Sequence, residues 1–236
     1  MIQTASYSDI GGRPQNEDTV KEVRKEEAVC VVVADGLGGH GGGEQASSLA
    51  ARMVCDGWQG GTDAQELAAL VMSAHEHVQE IQTESCAMKT TIVVLAVRDS
   101  QAAWAHAGDT RLYHFINGNL DFQTKDHSAS QIAVTLGDIT SDQIRFHEDR
   151  NRVLRALGQS GGLKVDTKEE LLSYGKHAFL LCTDGFWEYV LESEMEECLR
   201  SAQNPQDWLE RMREILLSRI PVDNDNNSAA ALWLER

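Results

Sequence analysis

Carboxylates recur at five places where strand-like runs begin or end. Asp35 follows the apolar run 28–34 and Asp184 follows the run 178–182, each with glycine next. Asn16-Glu17-Asp18 comes just after a short N-terminal run, Gly108-Asp109 separates two further runs, and Asp223-Asn224-Asp225-Asn226 precedes the last one. A buried strand does not usually finish on a carboxylate unless it meets solvent, a turn or a cation, because an unpaired charge is costly in an apolar interior. Asp-Gly alone is weak, since it is also an ordinary turn signal. Its recurrence beside other acids changes the weighting. Loops at one end of a sheet scaffold can bring such residues together, and converging carboxylates require a counter-charge. All-oxygen ligation selects hard cations, magnesium or manganese rather than zinc.

Several elements must position these acids. Residues 28–34 form a short valine-rich run that reads as a buried strand. Ala46, Leu49, Ala50, Met53 and Val54 recur at helical spacing, and Leu67, Leu70, Val71, Ala74, Val78 and Ile81 form a second amphipathic stripe. Strand-like runs follow at 90–97, 102–107 and 111–116, and Asn117-Gly118 predicts a tight hairpin into Leu120-Asp121-Phe122. Residues 128–157 are mixed and polar, with short helical pieces at 131–136 and 141–146. A helix through Trp208, Met212, Ile215 and Leu216 and a final strand at 228–234 close the pattern. That strand is poor in β-branched residues, which predicts a weak or closely packed element. Consecutive strands interleaved with helix pairs argue for an α+β fold of stacked sheets covered by helices, not a strictly alternating doubly wound sheet.

The 236 residues fit one large domain, 42% hydrophobic and 25% charged. No apolar run approaches the roughly 20 residues of a membrane span, and the start lacks a signal-peptide pattern, so a cytoplasmic location is expected. The formal net charge of −16 disfavours nucleic acid and anionic membrane as partners. Five scattered cysteines with no C-x-x-C pair read as buried thiols. His75 and His77 point about 200° apart on a helix, cannot chelate together, and are expected at the surface. The five tryptophans read as core or helix-face residues.

Eight motifs, in order, carry a family resemblance. They are S-D-I-G-G-R-P-Q-N-E-D (8–18), V-V-A-D-G-L-G-G-H-G-G-G-E (32–44), M-K-T-T (88–91), H-A-G-D-T-R (106–111), T-K-D-H-S (124–128), R-N-R-V-L-R-A-L-G (150–158), L-L-C-T-D-G (180–185) and D-N-N-S (225–228). This ordered set resembles the bacterial branch of the type 2C Ser/Thr phosphatases across essentially the whole chain. The resemblance implies one catalytic domain, 1–236, built as a four-layer αββα sandwich of two antiparallel sheets, with a mobile flap around 128–157. It implies two manganese or magnesium ions bridged by Asp35, with the Gly36 carbonyl assisting. Asp184 and Asp225 would hold the first ion, while Glu17 and Asp18 would act at the second, directly or through water. Asp109 with Asp184 would hold a third, weaker ion. Arg13 would grip the substrate phosphate through its planar fork of donors. The implied chemistry is in-line attack on phosphorus by a hydroxide shared between the cations.

Departures from the pattern matter. Animal members place a histidine two residues after the bridging aspartate, and here that position is Leu37. His40 could supply the proton to the leaving alkoxide, or could serve a structural or loop-capping role. Lys89 stands where the family has a small glycine, which predicts a perturbed turn. The D-N-x-S spacing favours Asp225 over Asp223 as the C-terminal ligand. Arg145, Arg150, Arg152 and Arg155 in the flap are expected to pair with Glu148 and Asp149 on a solvated surface, the alternative being that some orient phosphopeptides. The expected substrates are proteins phosphorylated on serine or threonine by a cognate kinase, and the expected state is a monomer. Two other functions compete. One is a catalytically silent binding module for phosphoproteins or a kinase, and the other is a hydrolase of small phosphate esters.

Overall fold

Period-two burial on both faces of one valine-rich strand organises the molecule. The computed structural model describes residues 1–38, 42–83 and 86–236. In chain order the elements begin with β1 (Gln3–Asp9), β2 (Asp18–Lys25), β3 (Ala28–Leu37), α1 (Gly42–Gly57), α2 (Ala64–Ile81), β4 (Lys89–Thr90) and β5 (Ile92–Arg98). Then come β6 (Gln101–Ala107), β7 (Arg111–Ile116), β8 (Asn119–Gln123), α3 (Ala129–Leu136), a 3-10 turn (Ser141–Phe146) and β9 (Asp166–Leu171). The last are β10 (Lys176–Cys182), α4 (Asp184–Trp187), α5 (Glu192–Ser201), α6 (Pro205–Leu217) and β11 (Asn227–Glu235).

One sheet runs β1-β11-β10-β7-β8 and the other β2-β3-β5-β6-β9, with β4 added against β3. Neighbouring strands are antiparallel throughout. On β3, Val29, Val31 and Val33 pack against Phe179, Leu181, Ala230 and Leu232 of the facing sheet. The alternate residues Cys30, Val32 and Ala34 pack under α1 and α2, against Ala50, Val54, Leu67 and Val71. Trp208, Leu209 and Met212 of α6, with Met195 of α5, cover the outer face of the first sheet at Tyr113, Phe115 and Leu180. Strands alternate direction of burial by residue, so a strand apolar at every position must be covered on both faces. The result is the expected four-layer αββα sandwich. No helix among the described residues is long and apolar enough to cross a membrane.

Several local expectations hold and others are corrected. Asn117 and Gly118 both take positive φ (51° and 84°), as the β7–β8 hairpin requires. The alanine-rich β11 is closely packed: it lies between β1 and β10, and Ala229, Ala230 and Ala231 are essentially fully buried. Both short helical pieces at 131–136 and 141–146 are present. Lys89 perturbs no turn, because it sits in the two-residue strand β4 opposite Leu37, where extended backbone tolerates a side chain. His75 is not at the surface; it is buried, and its Nδ1 accepts from the Gly158 N–H at 3.0 Å. His77 is exposed as expected. Of the four arginines expected to pair with Glu148 and Asp149, three pair with acids outside residues 128–157, and Arg152 forms no ion pair among the described residues. Arg145 meets Glu192, Arg150 meets Glu188 and Arg155 meets Asp166.

Candidate active site

The antiparallel register of β2 and β3 sets Asp18 directly opposite Asp35. Like charges in facing positions destabilise a sheet, so this pair calls for a cation. The strand does not stop at Asp35, since β3 continues to Leu37 by pairing with β4. Gly36 is therefore not a turn residue. A Cβ there would lie 2.3 Å from the Gly43 carbonyl oxygen and 2.6 Å from that of Glu17. Gly185 follows the same logic: its Cβ would come within 2.0 Å of the Asn226 carbonyl oxygen. Both glycines permit backbone approach beside an aspartate.

Asp184 opens α4 one residue beyond β10. The intervening Thr183 donates from Oγ1 to Asp18 Oδ2 at 2.9 Å and accepts from the Ser228 N–H at 3.1 Å. Asn226 ties the N-terminal loop to the start of β11. Its Oδ1 accepts from the Glu17 N–H at 2.8 Å, and its Nδ2 donates to the carbonyls of Ile10 and Gln15. Asp225 accepts two hydrogen bonds from Arg13, from Nε at 3.1 Å and Nη2 at 2.8 Å, with both side chains about half exposed.

Charge is stored here against its own preference. Burial, then Asp184 and Asp18, push the Asp35 carboxyl well above the usual range. Burial, then Asp109 and Glu188, do the same to Asp184. Burial raises Asp18 to about 7 although Ser228 and Thr183 donate to it. Asp109 is also raised to about 7, by burial and then by Asp126, and its Oδ2 is buried without a hydrogen-bond partner. Glu17 is raised by burial first and by Asp225 second. A set of buried carboxylates destabilising one another, with one orphaned oxygen, fits hard divalent cations. Among the described residues no three of these acids gather oxygens within 4.8 Å of one another.

A cavity of about 390 Å³ opens over this set, lined by Arg13, Glu17, Asp35, Gly36, Asp184 and Asp225. Asp225 lines it and Asp223 does not. Leu37 lines it as well, and so do Asn151 and Val153. Asp18 and Asp109 are buried and lie outside the lining. His40 lies outside the described residues. A larger cleft, about 610 Å³, sits elsewhere beside Asn117, Lys176, Arg200 and Trp233, with Glu235 as its one carboxylate.

Sequence reasoning missed the support behind Asp109. Trp187 donates from Nε1 to the Asp109 carbonyl at 2.9 Å, and the Arg111 guanidinium lies 3.5 Å from the centre of the Trp187 ring. Arg111 in turn makes a buried bidentate pair with Asp126, at 2.8 and 2.7 Å. Both partners sit inside the H-A-G-D-T-R and T-K-D-H-S motifs, but their pairing needed the fold. Thr183 and Asn226 were visible only as neighbours of aspartates.

The family model for protein phosphatase 2C matches residues 8–221. The chain belongs to the protein phosphatase 2C family. Among curated relatives, the Serine/threonine phosphatase stp of Listeria monocytogenes serotype 4b is 31% identical over 95% of this chain and 91% of its own. Among solved 2C-type structures, the Ser/Thr phosphatase PstP/Ppp of Mycobacterium tuberculosis superposes with a TM-score of 0.83 at 29% identity, covering 100% of this chain and 99% of that one. The PstP catalytic domain solved with 2 manganese ions has a TM-score of 0.81 at 27% identity, with 99% of each chain covered. The layered architecture of this 2C-type chain is thus that of its relatives.

Proposed function

We propose that this chain hydrolyses phosphoserine and phosphothreonine esters in proteins with two divalent cations, manganese or magnesium, held by Asp35, the Gly36 carbonyl, Asp184, Asp225, Glu17 and Asp18. It is a 2C-type protein Ser/Thr phosphatase, a metal-dependent enzyme. The supporting observation is the facing Asp18–Asp35 pair inside a buried set of mutually destabilised carboxylates. When bound, divalent cations lower the pKa of coordinated water and offset negative charge on the phosphoryl oxygens.

The chain's own groups divide the remaining work. Arg13 reaches the cavity with a planar fork of donors, so a phosphate would compete with Asp225 for it. Thr183 and Asn226 fix Asp18 and Glu17 in place. A serine or threonine alkoxide is a poor leaving group and needs a proton. Leu37 has none to give, which leaves His40 as the candidate donor. Asp109 and Asp184 frame a third, weaker cation site. Residues 1–236 act as one catalytic domain, with 128–157 as a flap whose Asn151 and Val153 border the cavity. The partner implied is a Ser/Thr kinase that produces the substrate, and the active unit is a monomer in the cytoplasm.

The test is turnover of a phosphothreonine peptide and of a small aryl phosphate with manganese, with chelator, and with Asp35→Asn. Activity should vanish with chelator and fall at least 100-fold, by order of magnitude, in the variant. Activity that survives either treatment would refute the metal assignment. Tight binding of the phosphopeptide without turnover would point instead to a binding module.

A further inference from the structure

His114 of β7 is fully buried, yet its Nδ1 has no hydrogen-bond partner. Its other nitrogen decides which tautomer is present. His177 Nε2 lies 2.9 Å from the Ser173 carbonyl oxygen, which only accepts, so His177 Nε2 carries the proton and Nδ1 the lone pair. With both rings neutral, His114 Nε2, 2.9 Å from that lone pair, donates to it. The relay leaves His114 Nδ1 as a bare lone pair. It faces acids: Glu170 Oε1 is 3.7 Å away, and the ligand atoms of His114, Asp121 and Glu170 all lie within 4.8 Å of one another. Three electron-pair donors converge with no proton assigned between them.

The fold explains how they meet. β8 is the edge of one sheet and β9 the edge of the other. The β7–β8 ladder pairs Phe115 with Leu120 but His114 with Phe122, so Asp121 is the extra residue of a β-bulge. Bulges re-aim a side chain at a sheet edge. Glu170 arrives from β9, across the sandwich. Lys168 stands 3.1 Å from Glu170 Oε2, the oxygen other than the one facing His114, and lies over the Phe122 ring. Oε2 is itself buried and makes no hydrogen bond, so the lysine offers it a charge contact only, and Oε1 is left to the cluster.

We propose that His114, Asp121 and Glu170 form a peripheral site for a borderline divalent transition cation, with zinc as the best fit, joining the edges of the two sheets. One imidazole nitrogen and two carboxylate oxygens, with water as a fourth ligand, match zinc's tetrahedral preference. The all-oxygen set of the catalytic cavity has a different preference. The site serves stability of the sandwich edge and does not depend on the phosphatase assignment.

The experiment uses the full chain saturated with magnesium, to occupy the oxygen-only sites, and titrated with zinc chloride. Zinc retained after desalting is counted by elemental mass spectrometry, and the thermal midpoint is followed alongside. Asp121→Asn and Glu170→Gln are the variants, because Asp121 is exposed and Glu170 lies at an edge. Wild type should retain one more zinc than either variant, with a midpoint rise of roughly 5 °C that both variants lose. Equal zinc in wild type and both variants would overturn the site. So would retention of none, or a His114 ring that nitrogen NMR shows protonated at both positions beside Glu170 at neutral pH.

Discussion

Replacing Asp18 by asparagine should stabilise the metal-free protein and destabilise the metal-loaded one. In the fold Asp18 titrates near 7 instead of 3.8, a rise of ~3 units caused first by burial. At about 1.4 kcal/mol per unit that is about 4 kcal/mol of strain in the charged form. The sign follows from linkage. A carboxyl with a raised folded pKa binds its proton more tightly when folded, so stability is intact below about 4 and is lost as pH rises to about 7. Asparagine cannot charge, and its oxygen can still accept from Thr183. Relaxation and water entry reduce the ceiling, so the expected gain in chelator at pH 8 is roughly 2–4 kcal/mol. For a chain of this length that is a midpoint rise of roughly 5–15 °C. With saturating manganese the ordering should reverse, because the cation then supplies the counter-charge that wild type lacks. Thermal unfolding by circular dichroism at pH 4 and pH 8, with chelator and with manganese, measures all four states. A variant that is less stable than wild type in chelator at pH 8, or whose gain persists undiminished at pH 4, would refute the reasoning.

Three other outcomes are expected. Arg111→Met and Asp126→Asn should each cost about 3–5 kcal/mol, because each strands a buried charge, while the double variant should cost less than the sum by at least ~1 kcal/mol; urea unfolding of the cycle measures the coupling, and strict additivity would contradict it. His127 is held down to about 4 by burial and then by the neighbouring His106 ring, and its Nδ1 already accepts from the Gly108 N–H. Its contribution is thus present above about 6.5 and lost as pH falls toward 4, so wild type should lose about 2–3 kcal/mol more than His127→Gln between pH 7 and 4.5 in urea melts. Arg13→Ala should raise KM for a phosphopeptide roughly tenfold or more while shifting stability by under about 1 kcal/mol, since its pair with Asp225 is half exposed; steady-state kinetics with a parallel melt separates the two effects.

The legible parts of the sequence were those with a strong local signal. The double-sided burial of β3 is written in an unbroken apolar run, and the hairpin in Asn117-Gly118. β9 was not legible: its residues Asp166–Leu171 are polar because it is a sheet edge, where charge blocks unwanted pairing and no apolar alternation is left to see. β2 was hidden for a similar reason, with Lys21, Glu22 and Arg24 along it. The acids of the site could be named from their positions at strand boundaries, but the opposition of Asp18 and Asp35 depends on register, which no single strand encodes. His75 was misplaced because a polar residue on an amphipathic helix looks solvated until the loop at Gly158 covers it. The partners of Arg145, Arg150 and Arg155 are not legible locally either, because Glu192, Glu188 and Asp166 lie in other parts of the chain.

β11 is inserted between β1 and β10, and the site's Asp225 and Asn226 immediately precede it. Tyr7 bonds Asn227 and Ser8 bonds Ser228, each across 220 positions of chain. During synthesis, therefore, the first sheet lacks an inner strand until residue 235 has emerged from the ribosome. Before β11 docks, Glu17 and Asp18 have no Asn226 and no Ser228 behind them, and Asp225 is not yet in place. A nascent chain of this protein should be silent toward phosphoproteins until β11 has emerged and docked between β1 and β10, and activity should switch on in one step with that docking.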